Sequence, residues 1–335
     1  MNGNPAMTTR LARPRALLLA AGFLLAAALP ALAAGFDGGI KNNSLALSPD
    51  EGTAVVSYSD DPVVIVYDMA AGRVRQRLEG FTTPRNIVFS PDGARFYVSD
   101  SGTGRVSVFE TATLRQVDTL AAGAGAFGTT LSRDGARLYV NNQAASTVSV
   151  FDTRSGRAEA VVTGLAQPRQ GVRLSPDGGT LFVTNFLGDK ITLIDTATNR
   201  ITGEITGFDK LRAISVTADG GTIYAANSGR NTVSVVDVAA RRIAAEVPVG
   251  RDPYGAALTP DGRYVYSGNL QDNSLSVIDT GTRAVVATVT GLQEPRQAIV
   301  FSRDGARAYV LNRDLGIAVV DRAGNRVART LSPGG

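Results

Sequence analysis

Ser175-Pro-Asp-Gly-Gly-Thr-Leu-Phe-Val-Thr-Asn185, with a polar loop over 186–190 and then Ile191-Thr-Leu-Ile-Asp195, is the stretch whose reading decides the fold. Pro176 presets φ, Asp177 offers a side-chain acceptor for local backbone N–H groups, and Gly178 is free to take φ > 0, which together specify a tight turn. Residues 172–174 lead into that turn. Residues 180–185 lead out of it with period-2 alternation, Leu181 and Val183 on one side and Phe182 and Thr184 on the other. After the loop, 191–194 reads as a third strand, Asp195 to Asn199 as a second turn, and 200–205 as a fourth strand. The expected unit is a four-stranded antiparallel meander.

The unit recurs along the chain. The turn aspartate stands at Asp50, Asp92, Asp134, Asp177, Asp219, Asp261 and Asp304, with separations of 42, 42, 43, 42, 42 and 43 residues. Such constant spacing points to one architectural element repeated seven times. The second strands include Leu138-Tyr-Val-Asn-Asn142, Leu181-Phe-Val-Thr-Asn185 and Ile223-Tyr-Ala-Ala-Asn227. On these residues the chain resembles the YVTN-type β-propeller repeat family over residues 44–331. The resemblance implies an all-β, seven-bladed β-propeller of four-stranded antiparallel blades. Physics agrees, since one such blade leaves an apolar face bare and radial packing covers each face with the next blade. The last copy supplies its own fourth strand at 326–331, so closure needs no strand exchange. Residues 36–43 are left as a segment that could add beside the last blade.

The N-terminus has a different character. Arg10, Arg13 and Arg15 precede the apolar run 16–29, then Pro30 and the small-residue site Ala31-Leu32-Ala33. This is the three-part form of a secretory signal peptide. The expected organisation is therefore a signal peptide at 1–34 and the propeller at 35–335, with the mature chain periplasmic or secreted and carrying no membrane span. Removing the three leader arginines from the net charge of +4 leaves +1, so bulk charge selects no polyanionic partner. The chain has no Cys, which excludes disulfides and thiolate metal sites.

Candidate site residues follow from the propeller geometry. If the first strand of each copy is innermost, the Asp-Gly turns lie on one face, and the inner-strand starts share the other face with the variable loops. The small residues Gly128, Gly171, Ala213, Gly255 and Ala298 suit strands converging on an axis. Just before them stand Asn43, Arg85, Phe127, Arg169, Arg212, Tyr254 and Arg296. Arg85, Phe127, Arg169, Arg212, Tyr254 and Arg296 are the expected ligand-binding set. Guanidinium forks suit carboxylate or phosphate, and the rings suit planar groups. The competing reading satisfies each arginine internally, through carbonyls or through acids such as Asp100, Asp209, Glu294 and Asp314.

The expected function is that of an exported, non-catalytic binding propeller for an anionic ligand: single-stranded nucleic acid, a polyanion or an acidic protein segment. The alternative is a cell-surface or periplasmic scaffold for protein partners, and the chain is expected to be monomeric. No cofactor and no metal are expected. With no His and no Cys, the usual general base, His-containing triads, haem attachment through Cys-x-x-Cys-His and the usual zinc sites are absent. Zero Trp argues against quinoprotein dehydrogenases, which are also propellers. A carboxylate-dependent, lactonase-like propeller hydrolase remains as the enzymatic alternative.

Overall fold

Each first turn closes through side-chain bonds that its sequence supplies. In the fourth copy the Ser175 hydroxyl donates to Asp177 Oδ1 at 2.5 Å, and that oxygen accepts the Gly179 N–H at 3.0 Å. The Thr180 N–H donates to Ser175 Oγ at 2.9 Å. Gly178 sits at φ +74°, a conformation glycine adopts without steric penalty. The turn joins Pro168–Leu174 to Thr180–Asn185, and Ile191–Asp195 and Arg200–Ile205 complete the sheet in sequence order, all antiparallel. The first strand begins four residues earlier than its alternation suggested, because Pro168 pairs with Asn185 ahead of a bulge.

A computed structural model of the chain describes residues 1–3 and 41–334. The chain divides into a unit over Met1–Leu32, of which residues 1–3 carry no regular structure, and a unit over Ala33–Gly335. Apart from residues 1–3, the expected signal peptide lies outside the described residues, as do 36–40 of the segment proposed to add beside the last blade. The second unit holds seven four-stranded antiparallel sheets, each built from four consecutive strands. It is a seven-bladed β-propeller whose described residues include no α-helix, only a 3₁₀ turn at Leu270–Asp272.

The core is divided among the blade interfaces. Seven separate apolar clusters occupy the seven interfaces between successive blades. The alternation within one strand decides which cluster a side chain joins: Leu181 and Val183 pack toward the third blade, and Phe182 toward the fifth. The ring closes where Leu45, Val56, Ile65 and Tyr67 of the first blade meet Tyr309, Leu311, Ile317 and Val319 of the last. Tyr67 also donates its hydroxyl to the Leu315 carbonyl at 2.7 Å. No strand is exchanged in this closure, as expected.

The recurrent asparagine at the end of the second strand is a buried connector. Asn185 Oδ1 accepts the Ala166 N–H at 2.9 Å, and its amide donates to Thr192 Oγ1 at 2.9 Å. Asn227 and Asn312 accept the N–H groups of Asp209 and Gln293 in the same way. In the second blade Asp100 takes this place and accepts from Thr82 and Thr83. In these four blades the side chain ties the incoming inter-blade loop to its own blade, whereas Asn142 Oδ1 and Asn269 Oδ1 in the third and sixth are buried without a partner.

On the turn face, successive blades are locked by proline. A Cβ at Gly93, Gly135 or Gly220 would lie 3.2, 2.8 or 3.2 Å from Cδ of Pro49, Pro91 or Pro176 in the preceding blade. Pro260 makes no such contact with Gly305, and Arg303 takes the proline position in the seventh blade; Arg133 and Ala218 take it in the third and fifth. Gly178 and Gly262, which follow them around the ring, have no such neighbour within 4 Å.

The turn aspartates give the fold a defined acid limit. Serine or threonine hydroxyls and backbone N–H groups hold Asp50, Asp92, Asp134, Asp177, Asp219, Asp261 and Asp304 below their ordinary value of 3.8. Carboxylates lowered by folding contribute stability that is fully present above the unfolded value and is lost as pH falls through the folded values. The urea midpoint is therefore expected to hold from neutrality down to about pH 5 and to fall steeply below about pH 4. A midpoint unchanged through that acid range would contradict this account of the turns.

Candidate functional site

Bulges at the start of the inner strands aim the side chains at the mouth of the channel. Pro84 pairs with Asp100, Pro168 with Asn185 and Leu211 with Asn227, and the register shifts immediately afterwards. The residue following each anchor is thereby turned out of the pleat. In the second and fifth blades this geometry sets the arginine Nε against the serine that follows the second strand: Arg85 Nε donates to Ser101 Oγ at 2.8 Å, and Arg212 Nε to Ser228 Oγ at 2.9 Å. In the fourth and seventh blades the equivalent position holds Phe186 or Arg313 instead. Arg169 Nε and Arg296 Nε are buried without a hydrogen-bond partner.

Aromatic rings separate these cations. The Arg212 guanidinium lies 4.3 Å and the Arg296 guanidinium 4.8 Å from the centroid of the Tyr254 ring. Arg169 lies 4.4 Å from the Phe186 ring, and Arg85 lies 4.6 Å from the Phe127 ring. The quadrupole of a ring attracts a cation to its face, so an intervening ring offsets the repulsion of converging charges. Arg169 still feels its surroundings: burial first, and the like charge of Arg212 second, pull its guanidinium down to about 10. It stays protonated at neutral pH.

The six expected residues do not form one accessible ring. Arg85 is 0% and Phe127 1% exposed, so this pair is sealed between the second and third blades. Burial pulls the Arg85 guanidinium down to about 10, against the opposing charges of Asp60 and Asp100. Arg169, Arg212, Tyr254 and Arg296 come together on the fourth to seventh blades, with Arg212 and Tyr254 half-buried and the other two at 7% and 5% exposure. Because one ring is buried and Tyr254 carries guanidiniums, neither offers a free face for a nucleic-acid base.

Internal pairing accounts for part of the charge. Among the named acids, Glu294 reaches Arg296 at 3.8 Å and Arg313 at 3.4 Å. Asp100 accepts the Thr82 and Thr83 N–H groups of the incoming loop instead, and Asp314 the Gly316 N–H of its own loop. Asp189, which accepts the Leu211 N–H at 2.9 Å, adds a favourable charge near Arg169, so two carboxylates stand among the three mouth arginines.

Three participants were not singled out by sequence. Phe186 was placed in a rim loop, yet its ring holds Arg169. Gln170 and Gln297 follow their arginines in the two blades that carry one more residue before the turn, the source of the 43-residue spacings. Gln170 Oε1 accepts the Asn42 amide at 2.7 Å, and Gln297 donates to the Asn43 carbonyl. Arg296 donates to the Lys41 carbonyl at 3.4 Å. Residues 41–43 therefore cross the mouth as they enter the first blade. The unequal spacing was the available signal.

Tyr254→Leu removes the ring between two guanidiniums. It is expected to cost about 1–2 kcal/mol in chemical denaturation, with part of the loss recovered at high ionic strength. A loss independent of salt would show that packing, not charge separation, is what the ring supplies.

Comparisons with known proteins bear on the fold. The family model described as Lactonase, 7-bladed beta-propeller matches residues 42–210, half of the chain, and the chain belongs to that family. A second model, Cytochrome D1 heme domain, matches residues 177–297. No curated protein matches the sequence. Among solved structures, hydrazine synthase of Kuenenia stuttgartiensis is similar at 22% identity and a TM-score of 0.75, covering 84% of this chain and 95% of that one. A functionally unknown protein from Desulfotomaculum acetoxidans is similar at 23% identity and a TM-score of 0.62, covering 67% and 74%. These structural likenesses show the fold alone. The segment that model matches lacks the commonest haem-iron ligands: residues 177–297 contain no His, Cys or Met.

Proposed function

We propose that this member of the seven-bladed lactonase propeller family binds a small anionic ligand, bearing a carboxylate or phosphate, at the channel mouth between Arg169, Arg212 and Arg296. The observation that carries this reading is the pair of buried, unpartnered Nε groups of Arg169, held on the Phe186 ring, and Arg296, which shares the Tyr254 ring with Arg212. A buried donor without a partner is costly, and an oxyanion supplies the acceptors that Phe186 and Arg313 do not. The half-buried Arg212 is the group through which a ligand first makes contact.

Titration of the full chain with inorganic phosphate, succinate and a single-stranded oligonucleotide tests the reading. Phosphate or succinate is expected to bind, and Arg212→Ala and Arg296→Ala each to weaken binding by roughly tenfold or more. An oligonucleotide held by three mouth arginines would show a log–log salt slope near −2.1, from about −0.7 per neutralised charge. Phosphate and succinate isotherms that keep the wild-type number of sites and affinity in both variants sink the proposal.

Family membership favours a second reading, hydrolysis of a lactone, in which water adds across the acyl–oxygen bond to give a hydroxy acid. The mouth arginines would stabilise the oxyanion of the tetrahedral intermediate, and Glu294 is the carboxylate placed to accept a proton. The same titration run with a δ-lactone and a pH indicator separates the two. Turnover abolished by Glu294→Gln supports the enzyme, and binding without turnover supports the binding protein.

Export and kinship with YVTN-type surface proteins rest on the leader and repeat motifs. Among the described residues no helix is long and apolar enough to cross a membrane. The mass of the protein recovered from the extracytoplasmic fraction is expected to match a chain starting near Ala34 or Gly35. Recovery of the uncleaved chain from the cytoplasm would refute export.

A further inference from the structure

The opposite end of the channel carries a cation that the mouth does not use. Inner strands of six blades enclose a lumen of about 430 Å³, lined by amides such as Asn86, Gln170 and Gln297 and by hydroxyls such as Thr129. Arg173 is the one charged side chain on its wall, and no acidic residue lines it. Among the described residues Arg173 forms no ion pair, and its guanidinium donates to the Val172 carbonyl at 2.8 Å. The Arg173 side chain is exposed, while its central position among the inner strands pushes its guanidinium below the ordinary arginine value. A cation set among the inner strands with no acid on the wall around it takes its counter-charge from solvent or from a ligand.

Two openings converge on the same side chain. A groove of about 1140 Å³ runs between the turns of the third and fourth blades, and a smaller one of about 370 Å³ runs between those of the fifth and sixth. They lie where Arg133 and Ala218 replace the inter-blade proline and leave Gly178 and Gly262 uncovered. Arg173 lines the lumen and both grooves, and the buried Ser215 hydroxyl beside it has no hydrogen-bond partner. The acids of the larger groove are engaged elsewhere: Asp134 and Asp177 close their own turns, Asp152 accepts from Ser155, and Glu159 pairs with Arg137 at 2.8 Å.

We propose that the lumen holds a compact oxyanion, a carboxylate or inorganic phosphate, on the Arg173 guanidinium, with the amides of the lumen wall around it, admitted through the groove between the third and fourth blades. The site is separate from the mouth, since Arg173 lies toward the turn end of the strand whose other end carries Arg169. It does not depend on the mouth being a binding site.

The test is calorimetric titration of the full chain with inorganic phosphate and with acetate, in wild type, Arg173→Met, Arg173→Lys and the double variant Arg212→Ala/Arg296→Ala. Wild type is expected to show a site that persists in the double variant and weakens by roughly tenfold or more in Arg173→Met. Arg173→Lys keeps the charge but loses the bidentate fork, so its loss should be intermediate. This variant carries the test if Arg173→Met does not fold. The proposal is overturned if wild type binds neither anion, if all binding disappears in the double variant, or if the Arg173 variants titrate as wild type.

Discussion

Apolar burial between neighbouring blades is the constraint on which everything else in this structure depends. A four-stranded sheet with alternating side chains has two faces to cover, and each is covered by the blade beside it. The seven interfaces are therefore equivalent in kind, and the one between the last blade and the first has the same apolar character as the rest. Because the core is distributed around the ring, the axis is left to side chains that do not serve the core. Glycine marks the closest approaches: a Cβ at Gly128 would lie 2.7 Å from the Gln170 backbone, and one at Gly268 2.3 Å from the Arg296 carbonyl.

Charge at the axis is handled differently at the two ends. At the mouth, rings stand against guanidiniums and serines accept some of their Nε–H hydrogen bonds, so several arginines share a small region with two carboxylates, Glu294 and Asp189. Within the lumen, Arg173 has amides and hydroxyls around it and no ring or acid against it. Both arrangements follow from the same bulged inner strands. The extra residue in the fourth and seventh blades sends Gln170 and Gln297 toward the incoming segment 41–43, which narrows the mouth that the arginines line.

Fold and site were legible to different depths. The spacing of Asp50 through Asp304 and the alternation after each turn reveal the blade, because turn chemistry and period-2 burial are local properties. The level shared by Arg85, Arg169, Arg212 and Arg296 was also readable, since it follows from counting back from each turn. Their accessibility was not. Sealing Arg85 against Phe127 while leaving Arg212 half-exposed depends on how adjacent blades meet, and no single repeat contains that information. Arg173 escaped notice because Val172-Arg173-Leu174 has the alternation of any half-buried strand, and only the packed ring shows that its polar side faces the lumen. The missing prolines at Arg133 and Ala218 were visible as departures from the repeat. Their meaning required seeing that Pro49, Pro91 and Pro176 each cover the next blade's glycine.

The central claim, an oxyanion held at the mouth by Arg169, Arg212 and Arg296, is tested most directly by the anomalous scattering of selenate soaked into crystals of the protein. The account predicts a selenate peak within hydrogen-bonding distance of these guanidiniums, with the unpartnered Nε groups of Arg169 and Arg296 turned toward it. A mouth filled only by water, with those groups bonded to carbonyls or to Glu294, would contradict it.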